Sequence, residues 1–131
     1  FIGQDKEDNG YFSRILCVQD LSAVTAACLM VRKSVYDEVK GLDEDYRVAF
    51  NDIDFCLKVR KAGYLVVYNP YAQFYHYESK SRGLEDSADK VARFQQEIAL
   101  FGSHWEDILE HGDPYYNPNL TLDKADFSLK E

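Results

Sequence analysis

Positive charge is scarce in this chain. Fifteen Lys and Arg face twenty-three Asp and Glu, for a net charge of −8. Nucleic-acid backbones must be neutralised by Lys and Arg, so this balance excludes nucleic acid as the main partner. It still permits a local basic pocket for one diphosphate. Cysteine is also sparse: Cys17, Cys28 and Cys56 make an odd count with no CxxC spacing. Set among apolar neighbours, they are expected to be buried, reduced thiols of a cytoplasmic protein. No Cys/His set has zinc spacing, and there is no Walker loop or GxSxG elbow. A run of about 18 apolar residues, the length of a membrane-spanning helix, is missing. No signal peptide is visible. The chain starts at Phe1 rather than Met, which reads as a piece of a longer protein.

The 131 residues fit one compact domain, and the 46% hydrophobic fraction is ordinary for a globular core. Aromatics reach 15%, with ten tyrosines among them. Such surfaces line clefts for flat-faced polar ligands such as sugars, and they also serve ordinary cores.

Residues 1–20 form an irregular lead-in, with a turn-rich Lys6-Glu7-Asp8-Asn9-Gly10. Residues 24–31 are almost continuously apolar, which predicts a strand buried on both faces. Thr25 is the polar exception, and its hydroxyl needs a partner or a cleft. Ser34 is placed to cap a short helix over 35–40, with Gly41 as its left-handed stop. Asn51 is placed to cap a second helix from Asp52 to about Ala62. Ile53, Cys56, Leu57 and Arg60 share one of its faces, and Gly63 ends it. Residues 64–68 and 72–77 read as extended. Asp86 or Ser87 caps a third helix with an apolar stripe of Val91, Phe94, Ile98 and Phe101, followed by Gly102. One more short helix is expected over 105–109, with Trp105 as a core anchor. Beyond His111 the pattern dissolves into a turn-rich, aromatic tail over about 112–131. The mixture of elements indicates α/β or α+β, with only two or three strands. Strands that few suggest a sheet continued by other sequence.

Two groups of residues carry chemistry. Asp52 and Asp54 have DxD spacing, which in a loop binds a divalent cation. In the first turn of a helix, however, positions i and i+2 point apart. One carboxylate can face a cleft while the other caps, pairs or meets solvent. The helix dipole favours an anion there, and a carboxylate so placed can take a proton from a substrate hydroxyl. From spacing alone, simple capping is the plainer account of the pair. His76 closes an aromatic stretch and precedes Ser79-Lys80-Ser81-Arg82-Gly83. Lys, Arg, hydroxyls and glycine can hold a pyrophosphate. A histidine beside it suits Mn²⁺ or Mg²⁺. A packed histidine followed by a solvated connector is the plainer account. His104 and His111 read as structural.

The ordered series of motifs resembles the C-terminal half of a family 2 glycosyltransferase. It comprises Val24-Thr25-Ala26-Ala27-Cys28-Leu29-Met30-Val31, Val39-Lys40-Gly41-Leu42-Asp43-Glu44, Phe50-Asn51-Asp52-Ile53-Asp54-Phe55-Cys56-Leu57, Ala62-Gly63-Tyr64 and Tyr75-His76-Tyr77-Glu78-Ser79. The ending Asp113-Pro114-Tyr115-Tyr116-Asn117-Pro118 resembles the tail of bacterial, rhamnosyltransferase-like members that build surface polysaccharides. The resemblance covers roughly residues 10–128. It implies a partial GT-A fold, its C-terminal half, with a short mixed sheet flanked by helices across 1–131. It implies inverting transfer of a sugar from a nucleotide-sugar to a glycan or lipid-linked acceptor, at the cytoplasmic side and at the inner face of the membrane.

Carried over residue by residue, the resemblance makes Asp52 the catalytic base. It places Thr25, Ala26 and Asn51 on the acceptor side. His76 becomes a ligand of a divalent cation, Mn²⁺ or Mg²⁺, and Ser79, Lys80 and Arg82 contact the diphosphate. The family's acidic pair reads Asn51-Asp52 here, so Asn51 is a cap rather than an acid. The nucleotide-binding half is not visible in this chain, so the chain alone is expected not to transfer sugar. Two rivals stand beside this expectation. One is a non-catalytic assembly module, which could dimerise through exposed sheet edges. The other is a metal-dependent phosphatase or nucleotidyl enzyme using both Asp52 and Asp54.

Overall fold

The computed structural model describes residues 7–74, 88–124 and 126–130. Its organising element is the helix α2, Asn51–Lys61. Asp54, Phe55, Cys56, Leu57 and Val59 of this helix are all buried. A helix buried on so much of its circumference needs packing on two sides, and it has two clusters. On one side Phe55, Cys56 and Val59 meet Val35 and Val66, with Ala23, Val24, Leu29, Val31 and Val39 around them. On the other, Leu57 meets Tyr46, Phe101 and Trp105, flanked by Phe50, Ile53, Leu100 and Ile108. Full burial of one such large side chain is worth about 1.5–3 kcal/mol.

The other elements frame this helix. A 3₁₀ stretch, Tyr11–Leu16, leads to strand β1, Gln19–Asp20. Strand β1 pairs antiparallel with β2, Val67–Tyr68, in the register Gln19 to Tyr68 and Asp20 to Val67. The amide of Leu21 extends the pairing to the Val66 carbonyl at 2.9 Å. Helix α1 spans Lys33–Glu38, α3 spans Ala88–His104 and α4 spans Glu106–His111. The molecule is mixed α/β with a small two-stranded sheet among the described residues. Among them, no helix is long and apolar enough to cross a membrane.

Several sequence expectations need correction. Residues 24–31 are not a doubly buried strand: a 3₁₀ turn, Ala26–Cys28, interrupts them, and Met30 is fully exposed. Among the described residues no strand pairs with this segment, and its Val24, Leu29 and Val31 pack instead against the cluster of Val35, Phe55, Cys56, Val59 and Val66. The lead-in is less irregular than expected, because it supplies β1. The 64–68 strand shrinks to Val67–Tyr68, because its partner β1 is only two residues long. Of 72–77, residues 72–74 are not a strand, and the remainder lies outside the described residues.

The caps differ as well. Helix α1 starts at Lys33 with Arg32 as its N-cap, so Ser34 lies inside it. Helix α2 starts at Asn51, so Asn51 is its first residue, and the cap is Phe50 in a left-handed conformation. Gly41 and Gly63 do adopt positive φ after their helices, and Lys40 joins Gly41 there. A Cβ on Gly41 would come within 2.7 Å of the Tyr36 ring, so the position needs glycine twice over. Helix α3 runs through Gly102 to His104, and the expected cap residues Asp86 and Ser87 lie outside the described residues. Its predicted stripe is mostly open: Val91, Phe94 and Ile98 are exposed, whereas Phe101 and Glu97 are buried. Cys17 and Cys28 are exposed, and only Cys56 is buried.

The tail is docked rather than loose. Leu120 and Leu129 form an antiparallel bridge, and Leu120 and Thr121 are buried. The Phe127 ring stacks on Tyr11 at 4.7 Å, with the Arg14 guanidinium 5.1 Å above it. Ser22 links the tail to α2: its hydroxyl donates to Asp113 Oδ1 at 2.6 Å and accepts from Arg60 Nη1 at 2.8 Å.

Candidate functional site

Asp52 lies in the first turn of α2, half-buried at the edge of an open surface. Its Oδ2 accepts the Ala26 amide at 3.1 Å and its Oδ1 the Ile53 amide at 2.9 Å. Ala26 opens the 3₁₀ turn that Thr25 caps, the Thr25 hydroxyl accepting the Ala27 amide at 3.3 Å. Thr25, Ala26, Ala27 and Cys28 are all exposed. The start of α2 and the 25–28 turn therefore meet through a carboxylate and an amide, and both face outward. Asn51 adjoins them, half-buried. Thr25, Ala26, Asn51 and Asp52, distant in sequence, thus share one surface. His76, Ser79, Lys80 and Arg82 lie outside the described residues.

Asp54 points elsewhere. It is 2% exposed, and its Oδ1 accepts the indole Nε1–H of Trp105 at 3.0 Å. Lys58 Nζ, one helical turn on, lies 3.0 Å from Oδ2. That oxygen has no aligned hydrogen bond, so the ion pair alone compensates it. The two aspartates diverge as a helical i, i+2 pair must. With Asp52 turned to Ala26 and Asp54 held by Trp105 and Lys58, the pair does not fit a shared cation. That geometry opposes the phosphatase alternative.

One cluster among the described residues could place three metal-type donors together. Single donor atoms of Asp43, Asp54 and His104 lie within 4.8 Å of one another. These groups already have partners: Asp43 Oδ1 accepts the Asp45 amide at 3.0 Å, and His104 Nδ1 lies 3.2 Å from the Tyr46 hydroxyl. The cluster is the polar lining of the aromatic core. Burial first, then the charges of Asp54, Asp43 and Asp45, push the Tyr46 phenol up to about 12. Burial also pushes the Cys56 thiol up; its bond to the Val24 carbonyl opposes this, and the Asp52 charge adds to it.

Three features escaped sequence reasoning. The first is the Asp54, Lys58 and Trp105 network, for which the i, i+4 Asp-Lys spacing was a weak signal. The second is Glu97, 3% exposed, which accepts the Arg47 amide at 3.1 Å and the Ala49 amide at 2.7 Å. A carboxylate between Phe94 and Phe101 was the available clue. The third is the left-handed Phe50, for which nothing local gives a sign.

Comparison with known proteins supplies relatives. The chain is 50% identical over 124 residues to the uncharacterised protein y4gI of Sinorhizobium fredii, covering 94% of this chain and 14% of that protein. It is 32% identical over 108 residues to the O-antigen biosynthesis protein RfbC of Myxococcus xanthus, covering 82% of this chain and 8% of RfbC. It is 35% identical over 78 residues to an N-acetylglucosaminyl-diphospho-decaprenol L-rhamnosyltransferase of Mycobacterium tuberculosis, covering 60% of this chain and 25% of that enzyme. The chain thus spans a quarter or less of the length of these relatives. No family model matches it, and no solved structure matches it. At a coarse level the relationship is to glycosyltransferases and polysaccharide biosynthesis.

Proposed function

We propose that residues 1–131 are the C-terminal part of a glycosyltransferase catalytic domain of GT-A type, acting in bacterial surface-polysaccharide synthesis. The supporting observation is the Asp52 carboxylate, held at the start of α2 against the Ala26 amide on an open surface. One backbone amide on each oxygen fixes the direction of the carboxylate, and the remaining lone pairs leave it able to accept a proton. The relatives named for rhamnosyl transfer and O-antigen biosynthesis give the chemistry a direction.

The reaction is a single inverting displacement. Asp52 takes the proton of an acceptor hydroxyl, whose oxygen attacks the anomeric carbon while the bond to the nucleoside diphosphate breaks. Thr25, Ala26 and Asn51 line the acceptor side. Ser79, Lys80 and Arg82 meet the departing diphosphate with cations and hydroxyls. A divalent cation, when bound, would be held by His76 together with groups outside this chain, and would neutralise charge on the diphosphate. The acceptor is a glycan or a lipid-linked sugar at the cytoplasmic face of the membrane. The isolated chain does not transfer sugar, because the donor-binding half is not in it.

The test is Asp52→Asn in the complete transferase. Turnover falls by about 10²–10⁴-fold, the range of general-base catalysis, while donor binding by calorimetry is unchanged. Normal turnover in that variant removes Asp52 from the role. A non-catalytic assembly module remains the second reading, and the exposed 25–28 turn, to which no strand pairs among the described residues, favours it. A protein with Asp52 intact and no transfer to any acceptor would support that module.

A further inference from the structure

One stripe of α3 contacts the segment that leads into Asp52. Glu97 is 3% exposed, and each of its oxygens accepts one backbone amide, Arg47 at 3.1 Å and Ala49 at 2.7 Å. Arg93, one turn earlier, lies 3.9 Å away across an ion pair. One turn to either side of Glu97, two rings engage the next residue of the same segment. Phe94 stacks on Phe50 at 5.7 Å and Phe101 stacks on it at 5.1 Å. Phe50 has φ 65° and ψ −8°, a left-handed conformation that disfavours a side chain with a Cβ. Its carbonyl accepts the Asp54 amide at 2.7 Å, the first hydrogen bond of α2. Asp52 stands two residues beyond this turn.

We infer that Glu97 is a positioning residue for Asp52. Its carboxylate holds the 47–49 backbone and keeps Phe50 left-handed, so that Asp52 meets the Ala26 amide in one orientation. The physical argument is direct. A strained residue persists only where its surroundings over-determine it. Here a buried anion supplies two charged hydrogen bonds and a ring stack supplies the rest. Without the anion, the two amides lose their acceptor and the turn can relax to right-handed φ. The first turn of α2 would then rotate, and the Asp52 oxygen would swing off Ala26. The inference rests on the reading of Asp52 as the base.

Glu97→Gln keeps the shape but presents an NH₂ to one of the two amides. Phe94→Ala removes a half-exposed ring and tests the same turn at little cost to the core. Val35→Ala, in the other cluster, controls for general destabilisation. In the 131-residue chain, hydrogen exchange at the Arg47 and Ala49 amides should speed up about tenfold or more in Glu97→Gln, the factor one charged hydrogen bond represents. In both Glu97→Gln and Phe94→Ala, the Ala26 amide proton signal should lose its downfield, carboxylate-bonded position. Val35→Ala should leave that signal in place. In the complete transferase, Glu97→Gln should lower kcat about tenfold or more with donor KM unchanged, while Val35→Ala lowers neither.

An Ala26 signal unmoved in Glu97→Gln overturns the proposal. So does a normal kcat in that variant while Asp52→Asn is inactive, a result that leaves the transferase reading intact. If Asp52→Asn itself turns over normally, the reading of Asp52 fails and the positioning role fails with it.

Discussion

The two sides of α2 are built from different materials. On the sheet side, Val35, Phe55, Cys56, Val59 and Val66 form an aliphatic cluster with one aromatic ring and one thiol. On the α3 side, Tyr46, Leu57, Phe101 and Trp105 pack together with Asp54, Glu97 and His104 at their edges. The first cluster is held mainly by area, with one weak thiol bond from Cys56 to the Val24 carbonyl, and tolerates changes that preserve volume. The second is directional: indole to carboxylate, phenol to imidazole, carboxylate to two amides. Directional groups fix orientation, and the side that has them is the side that sets the entrance to Asp52. Non-directional packing suffices where only the position of a helix is at stake.

Neighbouring residues on α2 test that contrast most strongly. Asp54→Ala leaves the Lys58 ammonium and the Trp105 indole without their partner, and should cost about 3–5 kcal/mol in denaturant unfolding. Phe55→Ala, facing the other cluster, should cost a similar 3–5 kcal/mol through its cavity. The two should separate on compensation. Replacing Asp54 and Lys58 together by Leu and Met should recover most of the Asp54→Ala loss, since a buried ion pair exchanges well for apolar groups. A double variant no better than Asp54→Ala would show the network to be indispensable to folding.

A smaller effect is expected from pH. The Tyr46 phenol ionises near 10.0 when unfolded and is pushed up to about 12 in the fold. Between those values the unfolded chain has released a proton that the folded one retains, so stability falls as pH rises. Below pH 10 both states hold the proton and the effect vanishes. Tyr46→Phe should lose about 0.5–1.5 kcal/mol at pH 7 through the missing bond to His104. It should also show a shallower decline than the parent between pH 10 and 12. Identical slopes in the two proteins would count against a dry setting for Tyr46.

The smallest perturbation leaves the fold untouched. Cys17 and Cys28 are exposed, whereas Cys56 is buried with its thiol pushed up. Iodoacetamide at neutral pH should therefore alkylate the first two in the native protein and Cys56 only after unfolding, as read by peptide mass spectrometry. Native labelling of Cys56 at the rate of the others would contradict the dry cluster.

Local patterning was legible where a residue's own neighbours decide the outcome. The glycines after α1 and α2, the span of α2 to within a residue at each end, the burial of Trp105 and the divergence of Asp52 from Asp54 all follow from helix geometry. Residues 24–31 misled, because an apolar run states that a segment is to be covered and not by what. The stripe on α3 misled in the same way, since a buried carboxylate at position 97 is favourable only when two amides arrive to meet it. The hydrogen bond between Asp52 and Ala26 was not legible in the sequence, as hydrogen bonds across twenty-six residues leave no periodic trace.

The sequence by itself determined the helices, the glycine stops of α1 and α2 and the opposed directions of the 52–54 carboxylates. These depend on contacts within a few residues, which composition and period encode. Tertiary structure alone decided that Phe50 turns left-handed, that Glu97 and Asp54 are buried, and that Asp52 lies against the 25–28 turn. Each of those has a cost that is offset only by partners far along the chain, and a linear pattern carries no distance between them.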